Sequence, residues 1–111
     1  MTASELLSDK FDKYNNLYFG GKLGKCRFYF LSKECGMVGK YLYYENNKES
    51  RIGIKKDIDD FEYRLKEILI HEMVHMYVTT IEGVKRDGLF GHGRRFRKHK
   101  RRLKKEFGLF I

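Results

Sequence analysis

One helical segment of the sequence carries the string HEMVH at residues 71–75, and this segment constrains the fold more than any other feature. Apolar residues recur at helical spacing from Asp57, a candidate N-cap, through the string to about Thr80. Residues 68–70, immediately before the string, are all apolar. The pattern therefore predicts a core helix that presents two histidines and a glutamate to a cleft.

The two histidines of the string are spaced to bind one metal ion. At about 100° and 1.5 Å per residue, His75 lies ~40° around the helix and ~6 Å along it from His71. Glu72 is ~100° from His71 and can reach the same pocket from the side. Zinc suits this set, because it accepts neutral imidazole nitrogens and its catalytic sites combine three protein ligands with an open position. Glu72 would then be the catalytic residue that takes a proton from water. The alternative is an ordinary amphipathic helix with two hydrogen-bonded histidines.

A catalytic zinc site needs a third protein ligand, which must come from outside the string. The short HExxHxxGxxH arrangement is absent, because Ile81 stands where its last histidine would be. The candidates are His92, His99, Glu82 and Asp87. We prefer His92 because glycines flank it on both sides and because Phe96 in the following helix faces the same way. We expect His99, two turns further on, to pack behind the ligands.

The remaining periodic segments predict two more helices and three strands. Thr2 and Glu5 have capping-box spacing at the start of a first helix, which the glycines at 20–21 end. Segments 25–31, 37–44 and 51–56 have the aromatic, β-branched or alternating composition of strands, and turn residues separate them. A third helix begins near His92 and stops at Gly108.

The order of these elements predicts one small α+β domain over residues 1–111. The element order is α-β-β-β-α-α, and an antiparallel three-stranded meander is the simplest sheet for it. We expect the aromatic residues of the strands to fill the core and the sheet surface. An extended peptide could add to an exposed edge strand beside the metal, and the sequence leaves open which strand that is.

The net charge of +9 comes from one segment, residues 94–105. These residues hold nine of the 24 Lys and Arg and no acid, while bases and acids balance over the rest of the chain. Such a charge attracts polyanions, and a backbone-led interaction with nucleic acid is its functional interpretation. The alternative is a solvated helix face. The candidate nucleic-acid-binding residues are Arg94, Arg95, Arg97, Lys98, Arg101, Arg102, Lys104 and Lys105.

Composition excludes several other classes of protein. Two cysteines, Cys26 and Cys35, are too few for a disulfide scaffold and lack CxxC spacing. The sequence has no apolar run of ~20 residues, and charges interrupt the first ten residues where a signal peptide would be apolar. We therefore expect a cytoplasmic monomer that does not interact with membranes, associated with the nucleoid if the source is bacterial.

Three blocks of the sequence together resemble the SprT-like domain of the SprT/Spartan metalloproteases. They are FDKYNNLYFGGKL at 11–23, LIHEMVHMY at 69–77 and GHGRRF at 91–96. The resemblance implies a small zincin-like fold of the minimal gluzincin type, with zinc bound by His71, His75 and His92 and with Glu72 as the catalytic acid/base. It also implies proteolysis of proteins crosslinked to DNA, so we expect the basic segment to bind single-stranded or distorted DNA. The resemblance is to the metalloprotease domain alone, and we expect no C-terminal zinc ribbon of the kind that larger relatives have.

Three hypotheses follow from the sequence. The first is a zinc endopeptidase that the basic helix brings to DNA-bound or DNA-crosslinked proteins. The second is a non-enzymatic nucleic-acid-binding module with a structural zinc or no metal. The third keeps the peptidase but makes DNA incidental to it.

Overall fold

The structure is a computed structural model that describes residues 2–111, with Leu89 described by its backbone only. Three helices and three strands follow one another in the predicted order α-β-β-β-α-α. They are α1 (Ala3–Tyr18), β1 (Cys26–Leu31), β2 (Gly39–Tyr44), β3 (Glu49–Lys55), α2 (Phe61–Thr80) and α3 (Arg94–Phe107), with a short 3-10 turn at Leu89–Gly91 before α3.

Helix α1 begins and ends where its sequence signals predict. The Thr2 hydroxyl accepts a hydrogen bond from the Glu5 backbone N–H at 3.2 Å, which caps the first turn. After the last turn, Gly20 takes a φ of +62°, a conformation that glycine adopts without a steric penalty. The buried face of α1 carries Leu7 and Phe11, so the helix packs its apolar stripe against the core.

The sheet is mixed and has the order β1-β3-β2, so the predicted antiparallel meander is wrong. Strand β3 lies in the centre, antiparallel to β2 and parallel to β1. Residues 45–48 form a tight hairpin between β2 and β3, but residues 32–38 form a longer connection that leaves room for β3 between β1 and β2. The central position agrees with burial, because residues 52–54 are all buried.

Helix α2 packs on one face of this sheet and supplies much of the core. Leu69, Ile70 and Met73 are fully buried, as are Ile52 and Ile54 on the facing side of β3. At ~25 cal/mol per Å² of buried apolar surface, such side chains provide most of the driving force that holds helix and sheet together. The string at 71–75 lies in the middle of this helix, which fixes its position relative to the sheet.

The first residue of α2 differs from the prediction, and its last residue agrees with it. The helix begins at Phe61 rather than after Asp57, because residues 57–60 form a turn that ends in a left-handed Asp60 with a φ of 56°. Asp60 makes no side-chain capping bond. The end at Thr80 is as predicted.

Helix α3 closes the cleft side of α2 with a narrow apolar stripe. Phe96, His99 and Leu103 are buried along it, and Gly108 ends the helix with a φ of +68°. The helix begins at Arg94, so His92 lies in the loop before it rather than in its first turn. None of the helices within residues 2–111 is long and apolar enough to cross a membrane.

Candidate metal centre

Three imidazoles converge at the middle of α2. His71 and His75 project from adjacent turns of the same helix face, and His92 reaches them from the loop before α3. The Nε2 atom of His92 lies 3.2 Å from Nε2 of His71 and 3.2 Å from Nε2 of His75. The possible ligand atoms of all three residues lie within 4.8 Å of one another. The structure thus brings together the three residues that the sequence assigned to metal binding.

This arrangement has the dimensions of a tetrahedral zinc site. Two imidazole nitrogens bound to zinc at ~2.0–2.1 Å, at the tetrahedral angle, are about 3.3–3.4 Å apart. The two Nε2 separations of 3.2 Å are close to that value. Three neutral imidazoles offer the nitrogen ligands that zinc prefers and leave one tetrahedral position for water or substrate. The residues present therefore fit a zinc ion with an open coordination position.

Burial keeps two of these imidazoles uncharged. Loss of solvent and, to a smaller extent, electrostatic repulsion from His92 and Lys100 together lower the pKa of His71 to about 4. The pKa of His75 is also lowered to about 4, again mainly by burial. Both rings are neutral at pH 7, so their nitrogen lone pairs are available without prior loss of a proton.

The ring of Phe96 packs against all three imidazole rings. Its ring centroid lies 4.8 Å from that of His71, 4.6 Å from that of His75 and 4.7 Å from that of His92. Phe96 is itself buried, so these contacts restrict the rotamers of the histidines and pre-organise them for one ion. The sequence predicted that Phe96 faces the same way as His92, and the contact between their rings confirms it.

Glu72 lies next to the cluster in an almost fully buried position. Its side chain is 6% exposed, and burial raises the pKa of its carboxyl group to about 8. The backbone of β2 passes directly over it at Gly39. A Cβ atom on Gly39 would lie 2.7 Å from Oε2 of Glu72 and 2.9 Å from a methyl group of Ile68, so only glycine fits between the strand and the carboxylate.

Asp87, a candidate ligand in the sequence, has a different role in the structure. Its carboxylate accepts hydrogen bonds from the backbone N–H groups of Arg95 at 3.1 Å and Phe96 at 2.7 Å, and its carbonyl oxygen accepts one from the Gly93 N–H at 2.6 Å. Asp87 therefore caps α3 from across the loop and fixes the segment that carries His92. Sequence reasoning missed this cap because it is eight residues from Arg95, whereas a helix cap normally lies within three residues of its donor.

Glu82 and His99, the other two candidates, pair with each other. Nε2 of His99 lies 3.2 Å from Oε2 of Glu82, and the His99 ring packs edge-on against Tyr77 at 5.0 Å. His99 is buried and is not part of the cluster of three imidazoles. This is the packed position that its place on the helix stripe predicts.

The imidazoles and Glu72 lie on the floor of a long open cleft. Two cavities of about 440 and 480 Å³ meet there and share Met37, Gly39, His71, Glu72 and His92. The first extends past Phe90 towards the C-terminal end of α2, and the second extends towards residues 110–111. The cleft therefore continues on both sides of the candidate metal centre.

The basic residues of α3 differ in their availability to a partner. Most are exposed, but Arg102 is half-buried and donates a hydrogen bond to the Tyr18 carbonyl oxygen at 2.9 Å. Arg102 also lies 3.7 Å from Glu106, and Arg95 lies 4.0 Å from Glu82. These two arginines of the predicted nucleic-acid set are thus engaged within the chain.

Comparison with known proteins gives one family. The chain matches the model of the SprT-like family over residues 7–110, which include all three converging histidines and Glu72. No curated protein matches the chain.

Proposed function

The chain belongs to the SprT-like family, and from this membership and the geometry of the cleft we propose that it is a zinc-dependent endopeptidase with a zincin-like fold. The family suggests a metalloprotease-related role. The observation that carries the proposal is the convergence of three imidazoles beside a buried glutamate in an open cleft. The proposed enzyme is a single domain over residues 1–111.

In this proposal each residue of the centre has one task. His71, His75 and His92 hold the zinc ion, and Phe96 keeps their rings in place. Zinc bound there supplies Lewis acidity, which polarises the scissile carbonyl group and makes water more acidic. A structural zinc site normally has four protein ligands, so a three-histidine set favours the enzyme over a structural role.

Glu72 is the proposed general acid/base. Its carboxylate accepts a proton from the attacking water and then delivers that proton to the leaving amine. Without metal, burial raises the pKa of Glu72 to about 8, and a cation bound by the imidazoles would favour the ionised form that accepts the proton. The contact with Gly39 holds it beside the imidazoles.

The proposed substrate is an extended peptide paired with β2. Strands β1 and β2 are both at edges of the sheet, and β2 is the one that lines the cleft. The Lys55 N–H donates to the Val38 carbonyl oxygen at 2.8 Å, so by strand alternation the peptide groups of Gly39, Tyr41 and Tyr43 face away from β3. These groups can bind a peptide backbone whatever its side chains. A cleft open on both sides suits cleavage within a chain rather than at its end.

We further propose that the substrates are DNA-bound or DNA-crosslinked proteins. The excess of nine basic residues lies at 94–105 in α3, which begins two residues after His92. A polyanion held by α3 would therefore lie close to the metal centre. The binding would be led by phosphate contacts and would weaken with salt.

The substitution Glu72→Gln tests the proposed mechanism. The amide keeps the size of the side chain but cannot take a proton, so we expect cleavage of a DNA-bound protein to fall at least about 100-fold while zinc binding is retained. Zinc content and cleavage should be measured on the same preparations. Undiminished cleavage by this variant would remove Glu72 from the mechanism, and a chain that binds zinc but never cleaves would favour a non-enzymatic module.

A further inference from the structure

We propose that a phosphate group of the nucleic acid binds in a cationic cavity at the start of α3, and that the strand continues from there along one row of α3 side chains. This inference rests on the proposed association with DNA and assigns it a site. It adds Arg86, which lies outside the basic segment recognised in the sequence. The cavity has a volume of about 470 Å³.

Four cationic side chains from two parts of the chain line this cavity. Arg86 comes from the loop after α2, and Arg94, Arg95 and Lys98 come from the first turns of α3. Arg86, Arg94 and Lys98 take part in none of the ion pairs among residues 2–111. They are exposed, so their charges are available to an anion in the cavity.

The two acidic residues of the cavity wall are already engaged. Both carboxylate oxygens of Asp87 accept backbone N–H groups of α3. Glu82 pairs with His99 at 3.2 Å and lies near Arg95 at 4.0 Å. The net charge of the cavity lining therefore favours an anion. A phosphate group suits this lining, because a guanidinium group can donate two parallel hydrogen bonds to phosphate oxygens.

A straight row of basic side chains on α3 begins at the cavity. Arg94, Lys98, Arg101 and Lys105 follow one another at steps of four, three and four residues. Such steps keep them within ~60° on one side of the helix over about 16 Å. This row is long enough to follow several phosphates of one strand. Lys100 points ~120° away from Arg94 and lies off the row.

The cavity lies beside the cleft that holds the candidate metal centre. Val84 and Asp87 line both the cavity and the neighbouring part of the cleft. One short stretch of loop thus separates the proposed phosphate site from the candidate metal centre. A protein attached to the bound strand would be presented to the cleft across this loop.

Salt dependence of binding tests the assignment. Affinity of the zinc-loaded full chain for a fluorescent single-stranded oligonucleotide should be measured over a range of salt concentrations for Arg86→Gln, Lys98→Gln and Lys100→Gln. Each lost phosphate contact lowers the slope of log K against log salt by about 0.7 for a single strand. We expect this loss for Arg86→Gln and for Lys98→Gln, no loss for Lys100→Gln, and an unchanged slope for Arg86→Lys.

The outcomes separate this inference from the proposed function. An unchanged slope for Arg86→Gln, or an equal loss for Lys100→Gln, would overturn the site, because binding would then be spread over the whole helix. If the wild-type chain does not bind the oligonucleotide at all, the proposed association with DNA fails, and the site fails with it.

Discussion

At the scale of single residues, burial in the candidate metal centre favours the uncharged forms of His71, His75 and Glu72. Burial lowers the pKa of His71 and His75 to about 4 and raises the pKa of Glu72 to about 8. Uncharged imidazoles are ready to bind a cation, and a cation nearby would favour the ionised form of Glu72. Without metal, the same burial makes the protein sensitive to pH.

The stability of the metal-free protein should pass through a maximum near pH 6.5. Unfolded histidines bind protons below about 6.5, but the pKa of His71 and His75 in the folded chain is about 4, so stability falls as the pH drops through this range. The pKa of Glu72 is about 8 when folded and 4.5 when unfolded, so its contribution falls as the pH rises from 4.5 to 8. As the pH falls below 6.5, the stability lost through the two histidines exceeds the stability gained through Glu72. Above pH 6.5, Glu72 is the one of these three groups that still changes stability. Urea unfolding in a chelator across this range measures the effect.

The variant Glu72→Gln is the control for this pH dependence. The amide does not ionise, so the decrease in stability above pH 6.5 should disappear while the decrease on the acid side remains. A wild-type protein whose free energy of unfolding is constant or rises between pH 6.5 and 8 would contradict the account.

Those residues of the centre whose positions depend on local spacing could be predicted from the sequence. His71, Glu72 and His75 share one helix, so the period of that helix is sufficient to place them together. His92 was found from its flanking glycines and from the direction of Phe96. The roles of Gly39 and Asp87 depend on contacts between distant segments, and no local pattern encodes them.

At the scale of elements, β2 and α2 form two walls of the cleft that holds the candidate site. The strand supplies the free edge of the cleft, and the helix supplies two imidazoles and the carboxylate. They approach so closely at Gly39 that a methyl group there would meet Glu72 and Ile68 at less than 3 Å. The orientation of Glu72 therefore depends on the position of this strand.

A methyl group at position 39 should damage catalysis without removing the metal ligands. In Gly39→Ala the new Cβ would lie 2.7 Å from Oε2 of Glu72, which forces the carboxylate away. We expect activity to fall by about 100-fold, the lower range of a general base contribution, with zinc affinity within about threefold of wild type. Peptide cleavage and zinc competition titrations measure the two effects.

Gly36→Ala, in the connection just before β2, is the matched control. A Cβ on Gly36 would meet nothing within 4 Å, so this variant should behave as wild type. Full activity of Gly39→Ala would show that Glu72 does not depend on the strand, and equal losses in both variants would point to a general effect on the loop.

The order of the sheet was the part of the fold that the sequence could not fix. The composition of the strands identified three of them, but a meander and the observed order β1-β3-β2 have the same local patterns. The two arrangements differ in the connection at 32–38. This connection is too long for a tight hairpin, but its sequence does not indicate whether β2 lies beside β1 or beyond β3. The burial of Ser50, Ile52 and Ile54 marks β3 as central only when the fold is known.

At the scale of the whole molecule, one loop joins the two proposed activities. This loop, residues 82–93, carries Asp87 and His92. It lines the cleft on one side and the cationic cavity on the other. The loop packs tightly, since a Cβ on Gly93 would lie 2.5 Å from the backbone of Asp87. The position of His92 and the start of α3 are thus fixed together.

The coordination of zinc in the full chain tests the central claim most directly. X-ray absorption at the zinc edge of the loaded protein should give one zinc per chain with three imidazole nitrogens at ~2.0–2.1 Å and one exchangeable oxygen or nitrogen. The variant His92→Ala should lose one imidazole. A site with only two imidazoles, with a sulfur ligand at ~2.3 Å, or with no zinc affinity would contradict the account.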